Sequence, residues 1–328
     1  MTGRWARQVL EASMSRRAFL KATGAAAILA ATGMAGCTGA GTTDTVSPTP
    51  APTAAPTPVP PAATGKLAVA TDADPARLVD KAIDAYGGLE GIVRPGDNVV
   101  VKANFSWAYS PAQGGCNNPG VLARVMERCK EAGAGSVTAV DYTIDNAQDC
   151  LRLSGIRKAV EDAGLKVQAL RSDDFEDRAD GGVFLKSVQV PKMLKDCDVL
   201  VDVPAVKSHG NTLMTGAMKN LMGLVRNRGA LHSGNLDQGI ADLAALFRPG
   251  LTIADAYLVV RNNGPRGSRD PADLASPHQV VVGDDIVAVD AYCTRYVGLG
   301  PGDVEHVKLA AQGGLGQMDM SKMSIITL

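Results

Sequence analysis

The sequence predicts an α/β fold: a mostly parallel sheet with helices on both faces and room for a smaller second lobe. Three observations predict it. Short apolar runs alternate with longer amphipathic segments through most of the chain, the pattern of successive βα units. The runs are nearly continuous, as in Val99-Val100-Val101 and Val199-Leu200-Val201, which is what strands buried on both faces require. The stretch from Lys66 onward, roughly 260 residues, suits one large domain.

Each element follows from local signals. Asp97-Asn98 reads as a turn before a buried strand through Lys102. Asn118-Pro119 opens a helix, with proline at its first position. Val121, Leu122, Val125, Met126 and Cys129 form its apolar stripe, and Gly133 ends it. Ser136 to Val140 is a strand closing on Asp141. A helix from Asn146 to Ala163 follows, with Gly155 as a potential break, then a strand from Lys166 to Leu170. Residues 172–182 read as an acidic loop, either solvated or a cation site. Val188 to Val190 is a short strand, and Asp198 to Val203 the strand that opens the most polar region of the chain. Asp237 to Phe247 is a helix, with Asp237 capping it or orienting His232. Leu251 to Ala254 is a strand ending at Asp255. Gln279 to Val282 is a strand, and Ile286 to Val297 a helix stopped by Gly298.

Residues 1–37 read as a targeting segment. Ser15-Arg16-Arg17-Ala18-Phe19-Leu20-Lys21 matches the twin-arginine export pattern. The Ala-rich run after it is too short for a transmembrane helix, which needs about 20 apolar residues. Met34-Ala35-Gly36-Cys37 resembles a lipoprotein processing box. Either Cys37 becomes a lipidated N-terminus, or an ordinary signal peptidase acts and Cys37 is a bystander. Residues 38–64, rich in Thr, Pro and Ala, read as an extended tether, leaving 65–328 as a single α/β domain. The expected location is extracytoplasmic, held at a membrane through Cys37. Twin-arginine substrates cross folded, which favours a cofactor acquired before export, metal or organic.

Composition narrows the partners. The chain carries a formal charge of −1 and only 4% aromatic residues, and loss of the Arg-rich leader makes the remainder more acidic. Nucleic acid wants basic grooves and stacking rings, so none is expected. Beyond Cys37 there are Cys116, Cys129, Cys150, Cys197 and Cys293, with no Cys-x-x-Cys. Neither a zinc ribbon nor an iron–sulfur cluster is written there, although an oxidising compartment would permit one disulfide.

Open parallel sheets bind ligands beyond the carboxyl ends of their strands. The polar residues just past the predicted strands are Lys102 and Asn104, Asp141 and Tyr142, Lys207 and His209, and Asp255. Their convergence on one rim is the central expectation. Lys207 and His209 lie two apart and point the same way if extended. They could bind an anion, or His209 could act as general base or metal ligand. Thr215 to Gly223 reads as a glycine-started helix bearing Lys219 and Asn220, its N-terminus suited to an anion. Gly216 and Gly223 would permit close backbone approach. Arg226, Arg228 and His232 follow on a loop. Asn262 to Gly267 reads as a turn-rich loop: an ordinary surface loop, a lid or a phosphate-facing loop.

Several of these pieces, in order, resemble the domain of unknown function 362 family. They are Val101-Lys102-Ala103-Asn104-Phe105, Val203 to His209, Thr215 with Lys219-Asn220-Leu221-Met222-Gly223, and His232. Leu251 to Ala256, Gly264-Pro265 and Val287 to Ala291 complete the set. The resemblance runs from about Asn98 to Gly316 and names no reaction. Some members carry a fused ferredoxin module, which hints at redox, but this chain lacks the cysteine ladder that module requires.

Three functional readings stand at this point. The first is an exported enzyme for a small anionic ligand. In it Lys207, Lys219 and Arg226 hold the anion, Lys102, Asn104 and Asn220 line the site, and His209 or His232 moves a proton. Asp255 and Asp290 would ligate a metal or orient a base. The second is a non-catalytic ligand-binding lipoprotein serving a membrane partner. The third is a redox partner akin to the iron–sulfur members. Which protein partner would be served stays open.

Overall fold

The computed structural model describes residue 4, residues 65–179 and residues 182–328. Arg16, Arg17, Cys37 and the tether lie outside the described residues.

The chain runs β1 (Lys66–Thr71), α1 (Pro75–Tyr86), β2 (Asn98–Lys102), α2 (Pro119–Glu131), β3 (Ser136–Asp141), α3 (Ala147–Leu153), α4 (Ile156–Asp162) and β4 (Lys166–Ala169). It continues through β5 (Phe175–Ala179), β6 (Ser187–Pro191), β7 (Val199–Asp202), β8 (Ala205–His209), β9 (Leu213–Thr215), α5 (Ala217–Asn220), α6 (Gly229–His232) and α7 (Leu236–Phe247). It ends with β10 (Leu251–Val260), β11 (Leu274–Ala275), β12 (Gln279–Gly283), α8 (Ile286–Cys293), α9 (Glu305–Gln312) and β13 (Ser324–Thr327).

The main sheet has the order β13-β1-β12-β10-β7-β2-β3-β4. From β10 to β4 every neighbour is parallel. β12 is antiparallel to both β1 and β10. The predicted mostly parallel sheet with helices on both faces is therefore present, with an antiparallel exception beside one edge. Side chains alternate across the strands and build two cores. Val99, Val101, Val137, Ala139 and Val201 pack with α1, α2 and α4 on one face. Val100, Val140, Leu200 and Ala254 pack with α7, α8 and α9 on the other.

Local chemistry explains the helix ends. Asn118 accepts hydrogen bonds from Gly120 N and Val121 N, and Pro119 sits at the first position of α2. Gly155, at φ 73°, does break the predicted helix into α3 and α4. α1, absent from the sequence-based expectation, carries ordinary signals: an Asp74 cap, Pro75 at the start, and Gly87 at φ 111° as its stop.

Three expectations are corrected. The acidic segment is no free loop: Phe175–Ala179 pairs antiparallel with β6. Asp255 does not end its strand, because β10 continues to Val260. The helix expected from Thr215 to Gly223 is cut to α5, because Thr215 ends β9, which folds back on β8 with Lys207 opposite Thr215 and His209 opposite Leu213. The parallel strands end together: Lys102 pairs in register with both Val140 and Asp202. This common carboxyl edge carries the polar cluster. Among the described residues, no helix is long and apolar enough to cross a membrane.

Candidate functional site

A cavity of about 210 Å³ opens beyond that edge. Its wall includes Asn104 and Ser106 after β2, Asp141 at the end of β3, Lys207 and His209 from β8, and Lys219 and Asn220 from α5. Arg228 and His232 close it from the α6 side, and Trp107, Ile144, Thr215, Met222, Gly223 and Pro265 complete the lining. Of the strand-end residues, Asn104, Asp141, Lys207 and His209 line it while Tyr142 does not; Lys219, Asn220 and His232, from the following helix and loop, join them. Lys102 lies beneath this wall, and Arg226, Asp255 and Asp290 are outside it.

The base of the cavity is a buried polar network. Lys102 is 1% exposed, and its ammonium stands 3.0 Å from Asp141 Oδ1. It also donates to Ala103 O and, at 3.1 Å, to Asn220 Oδ1. Phe105 N and Ser106 Oγ donate to Asp141 Oδ2 at 3.0 and 2.7 Å. Asn220 donates to Lys102 O at 3.1 Å and to Asp202 Oδ1 at 2.8 Å. Burial pushes Asp202 well above the usual carboxylate range, against the pull of the Lys102 charge and the Asn220 hydrogen bond. Buried charge is tolerated in this layer because it is paired and hydrogen-bonded.

The upper wall differs. Lys207 is 2% exposed; its ammonium donates to Asn104 Oδ1 at 3.0 Å and to Gly115 O. Both acceptors are neutral. Burial pushes Lys207 down to about 8. Lys219 is 7% exposed, and the one hydrogen-bond acceptor for its Nζ among the described residues is the Met222 thioether at 3.4 Å, a weak one. Burial pushes Lys219 down to about 8 as well. Arg228 donates to Thr143 O at 3.1 Å, and its guanidinium lies 4.8 Å from the Tyr142 ring centroid. The carboxylate in the lining, Asp141, is already held by Lys102. The net field in the cavity is positive.

His209 has a defined tautomer. Asn211 N and Thr212 N both point at its Nδ1, at 3.1 and 3.3 Å, so Nδ1 accepts and the proton sits on Nε2. Burial, then the charges of Lys219, His232 and Lys207, push it down to about 3. A neutral imidazole of this tautomer is a hydrogen-bond donor at Nε2, not a proton acceptor or metal ligand there. His232 is also pushed down, by burial and by Lys219 and Arg228; it is exposed at the mouth, with a free route to solvent.

The two aspartates proposed for a metal are engaged elsewhere. Asp255 accepts from Asn118 N at 2.7 Å, Tyr257 N at 3.0 Å and Asn117 Nδ2 at 3.3 Å; burial pushes it up to about 6. Asp290 accepts from Ala217 N and Met218 N at 2.5 and 2.9 Å. The helix start expected to hold a ligand anion therefore holds this chain's own carboxylate. Gly216 and Gly223 serve the same internal packing. A Cβ on Gly216 would stand 2.0 Å from Asp290 Oδ1, and one on Gly223 would stand 2.0 Å from Asp141 Oδ1. Asp237 neither caps α7 nor orients His232. Asn235 is the cap, and Asp237 Oδ1 lies 3.0 Å from His306 Nδ1. Among the described residues, no group of three or more His, Cys, Asp or Glu side chains converges as a metal site. The five described cysteines are free thiols.

Arg226 is exposed and reaches Gln189 Oε1 at 3.5 Å, while Arg228, two residues on, enters the lining. Trp107 also enters it without having been singled out. Trp107 had a signal: it is one of two tryptophans in the chain, five positions past the last strand residue. The Arg266 guanidinium covers its ring at 4.3 Å.

Fold and site together define an α/β protein with a cation-lined cleft at the carboxyl edge of its sheet. A family model described as "Domain of unknown function (DUF362)" matches residues 99–295, and the chain belongs to this family. The thylakoid-associated protein sll1697 of Synechocystis sp. is 24% identical over 242 residues, covering 71% of this chain and 73% of its own length. Among solved structures, the lactate racemase apoprotein from Thermoanaerobacterium thermosaccharolyticum overlaps 70% of this chain and 56% of its own, at 10% identity and a TM-score of 0.49. A Thermotoga maritima structural-genomics protein overlaps 74% and 60%, at 9% identity and a TM-score of 0.41. The chain thus spans less than two thirds of either solved structure.

Proposed function

We propose that this domain is an enzyme that binds a small organic anion, a carboxylate or phosphate ester, in the cleft between β8 and α5. The observation that carries the reading is the pair of buried lysines, Lys207 and Lys219, lining one cavity without a carboxylate partner of their own. Desolvated cations are costly when unpaired, and an anionic ligand supplies the missing counter-charge. Arg228 adds a planar donor set that suits carboxylate or phosphate. His209 offers Nε2–H as a fixed donor, and Asn104 holds Lys207 in place. The cavity volume of about 210 Å³ restricts the occupant to a few heavy atoms, since one water takes about 30 Å³ of liquid.

Calorimetric titration of the purified protein with oxalate, pyruvate and inorganic phosphate tests this. One of them binds at one site per chain, and added salt weakens the binding. Absence of heat for all three at millimolar concentration would refute the reading.

The same proposal places the domain outside the cytoplasm, exported through Arg16-Arg17 and tethered through a lipid on Cys37. The leader motif and the Thr/Pro/Ala tract support it, and the cyanobacterial relative's name also puts that protein at a membrane. Fractionation of cells expressing Cys37→Ala checks it: the variant leaves the membrane fraction, and retention there counts against the anchor.

A further inference from the structure

We propose that the Lys219 amine is a nucleophile that forms an imine with the carbonyl of a small 2-oxo acid held in this cleft. The inference rests on the anion-binding reading above and assigns its substrate class.

The two cavity lysines are not equivalent. Lys207 is pinned by two oxygen acceptors, Asn104 Oδ1 and Gly115 O, which favour the ammonium form and fix its direction. Lys219 has only the Met222 thioether, which does little to hold a proton on nitrogen. It is also enclosed, at 7% exposure. The charged groups that act on it are Asp237, which favours the ammonium, and Lys207 and Arg228, which oppose it. A desolvated lysine beside other cations is the environment that leaves an amine free to attack carbonyl carbon. Arg228 and Lys207 remain to bind a carboxylate, so one ligand carrying both functions fits both halves of the wall.

The step balances without a further reagent. The Lys219 Nζ lone pair forms a C–N bond as the carbonyl π pair moves to oxygen. The Lys207 ammonium gives that oxygen a proton, and a proton leaves Nζ. A second proton on the oxygen releases water as the C=N bond forms. Lys207 recovers its protons from solvent and from Nζ. The product is a protonated imine, whose positive charge faces the bound carboxylate. Nothing is oxidised or reduced.

The test treats the full chain with pyruvate or glyoxylate and sodium cyanoborohydride near pH 8, followed by peptide mapping. The expected result is one reduced adduct on the peptide carrying Lys219, formed at least ~10-fold faster than on any other lysine. Excess lactate, which has the carboxylate and no carbonyl, suppresses it. An adduct spread evenly over surface lysines, or centred on Lys207, overturns the proposal. Calorimetry with oxalate separates the two levels. Oxalate binding without a Lys219 adduct refutes the imine and leaves the anion site standing, whereas no binding of any anion removes the reading beneath it. Lys219→Arg keeps a cation and loses the nucleophile. It should still bind oxalate and form no selective adduct at the site; a selective adduct that persists on another lysine overturns the assignment.

Discussion

Lys102 and Lys219 are both buried lysines near the carboxyl edge of one sheet, and they are neutralised differently. Lys102 ends β2 with an aspartate 3.0 Å away and an asparagine beyond it. Lys219 ends in a thioether contact. The first arrangement is complete without any ligand. The second would be completed by the anion proposed above. Burial alone therefore does not mark a functional lysine. What sets Lys219 apart is burial combined with the lack of a carboxylate partner, beside a cavity that the proposed anion would fill.

The largest expected effect tests the complete half. Lys102→Met leaves the Asp141 carboxylate buried without its ammonium, and breaking a buried pair from one side costs about 3–5 kcal/mol. The amide of Phe105 and the hydroxyl of Ser106 still donate to Asp141, so the loss falls toward the lower end. Denaturant midpoints measure it. A variant as stable as the parent would show that the pair is not what supports the edge.

The contrasting substitution sharpens the comparison. Lys219→Met removes a cation with no carboxylate partner, so stability holds or rises. Anion affinity falls by ~10-fold or more, about 1.4 kcal/mol. Chemical denaturation and calorimetry on the same protein give both numbers. Parallel losses of stability and affinity would make Lys219 structural, like Lys102, and erase the distinction.

The same contrast explains what could be read in advance. β2, β3 and β7 are legible because strands buried on both faces must be continuously apolar. The polar residue after each run is legible because the chain must leave the sheet there. Asn104, Lys207 and His209 follow from that rule. Partnering is not legible in this way. Nothing near Asp290 says that it closes the start of α5, 73 residues earlier. Nothing near Asp255 says that its oxygens face Asn117 and Asn118 rather than a cavity. These are tertiary contacts between segments with no shared local signal. The choice of Arg228 over Arg226 has a similar cause. Both follow short irregular turns after Leu224, where no period assigns a face, and two residues decide between cavity and solvent.

The smallest effect is a pH dependence of the two cavity lysines. Lys207 and Lys219 sit at about 8 in the folded protein against 10.5 for a free side chain. Between those values the unfolded chain binds more protons than the folded one. These two lysines therefore make stability rise with pH across that window and contribute no slope below it. Anion binding runs the other way. Below pH 8 both ammonium groups are charged and affinity is highest; as pH rises through 8 they lose charge and affinity falls. A bound anion favours the charged form, so binding near pH 8.5 takes up protons, at most about one per lysine. Titrations in buffers of different ionisation enthalpy count them. Lys219→Met should take up fewer than the parent. Equal uptake would mean that Lys219 does not face the anion. Trapping of a carbonyl compound needs the neutral amine and so strengthens over the pH range where anion binding weakens. That opposition is a signature that a surface lysine, titrating near 10.5, would not produce below pH 9.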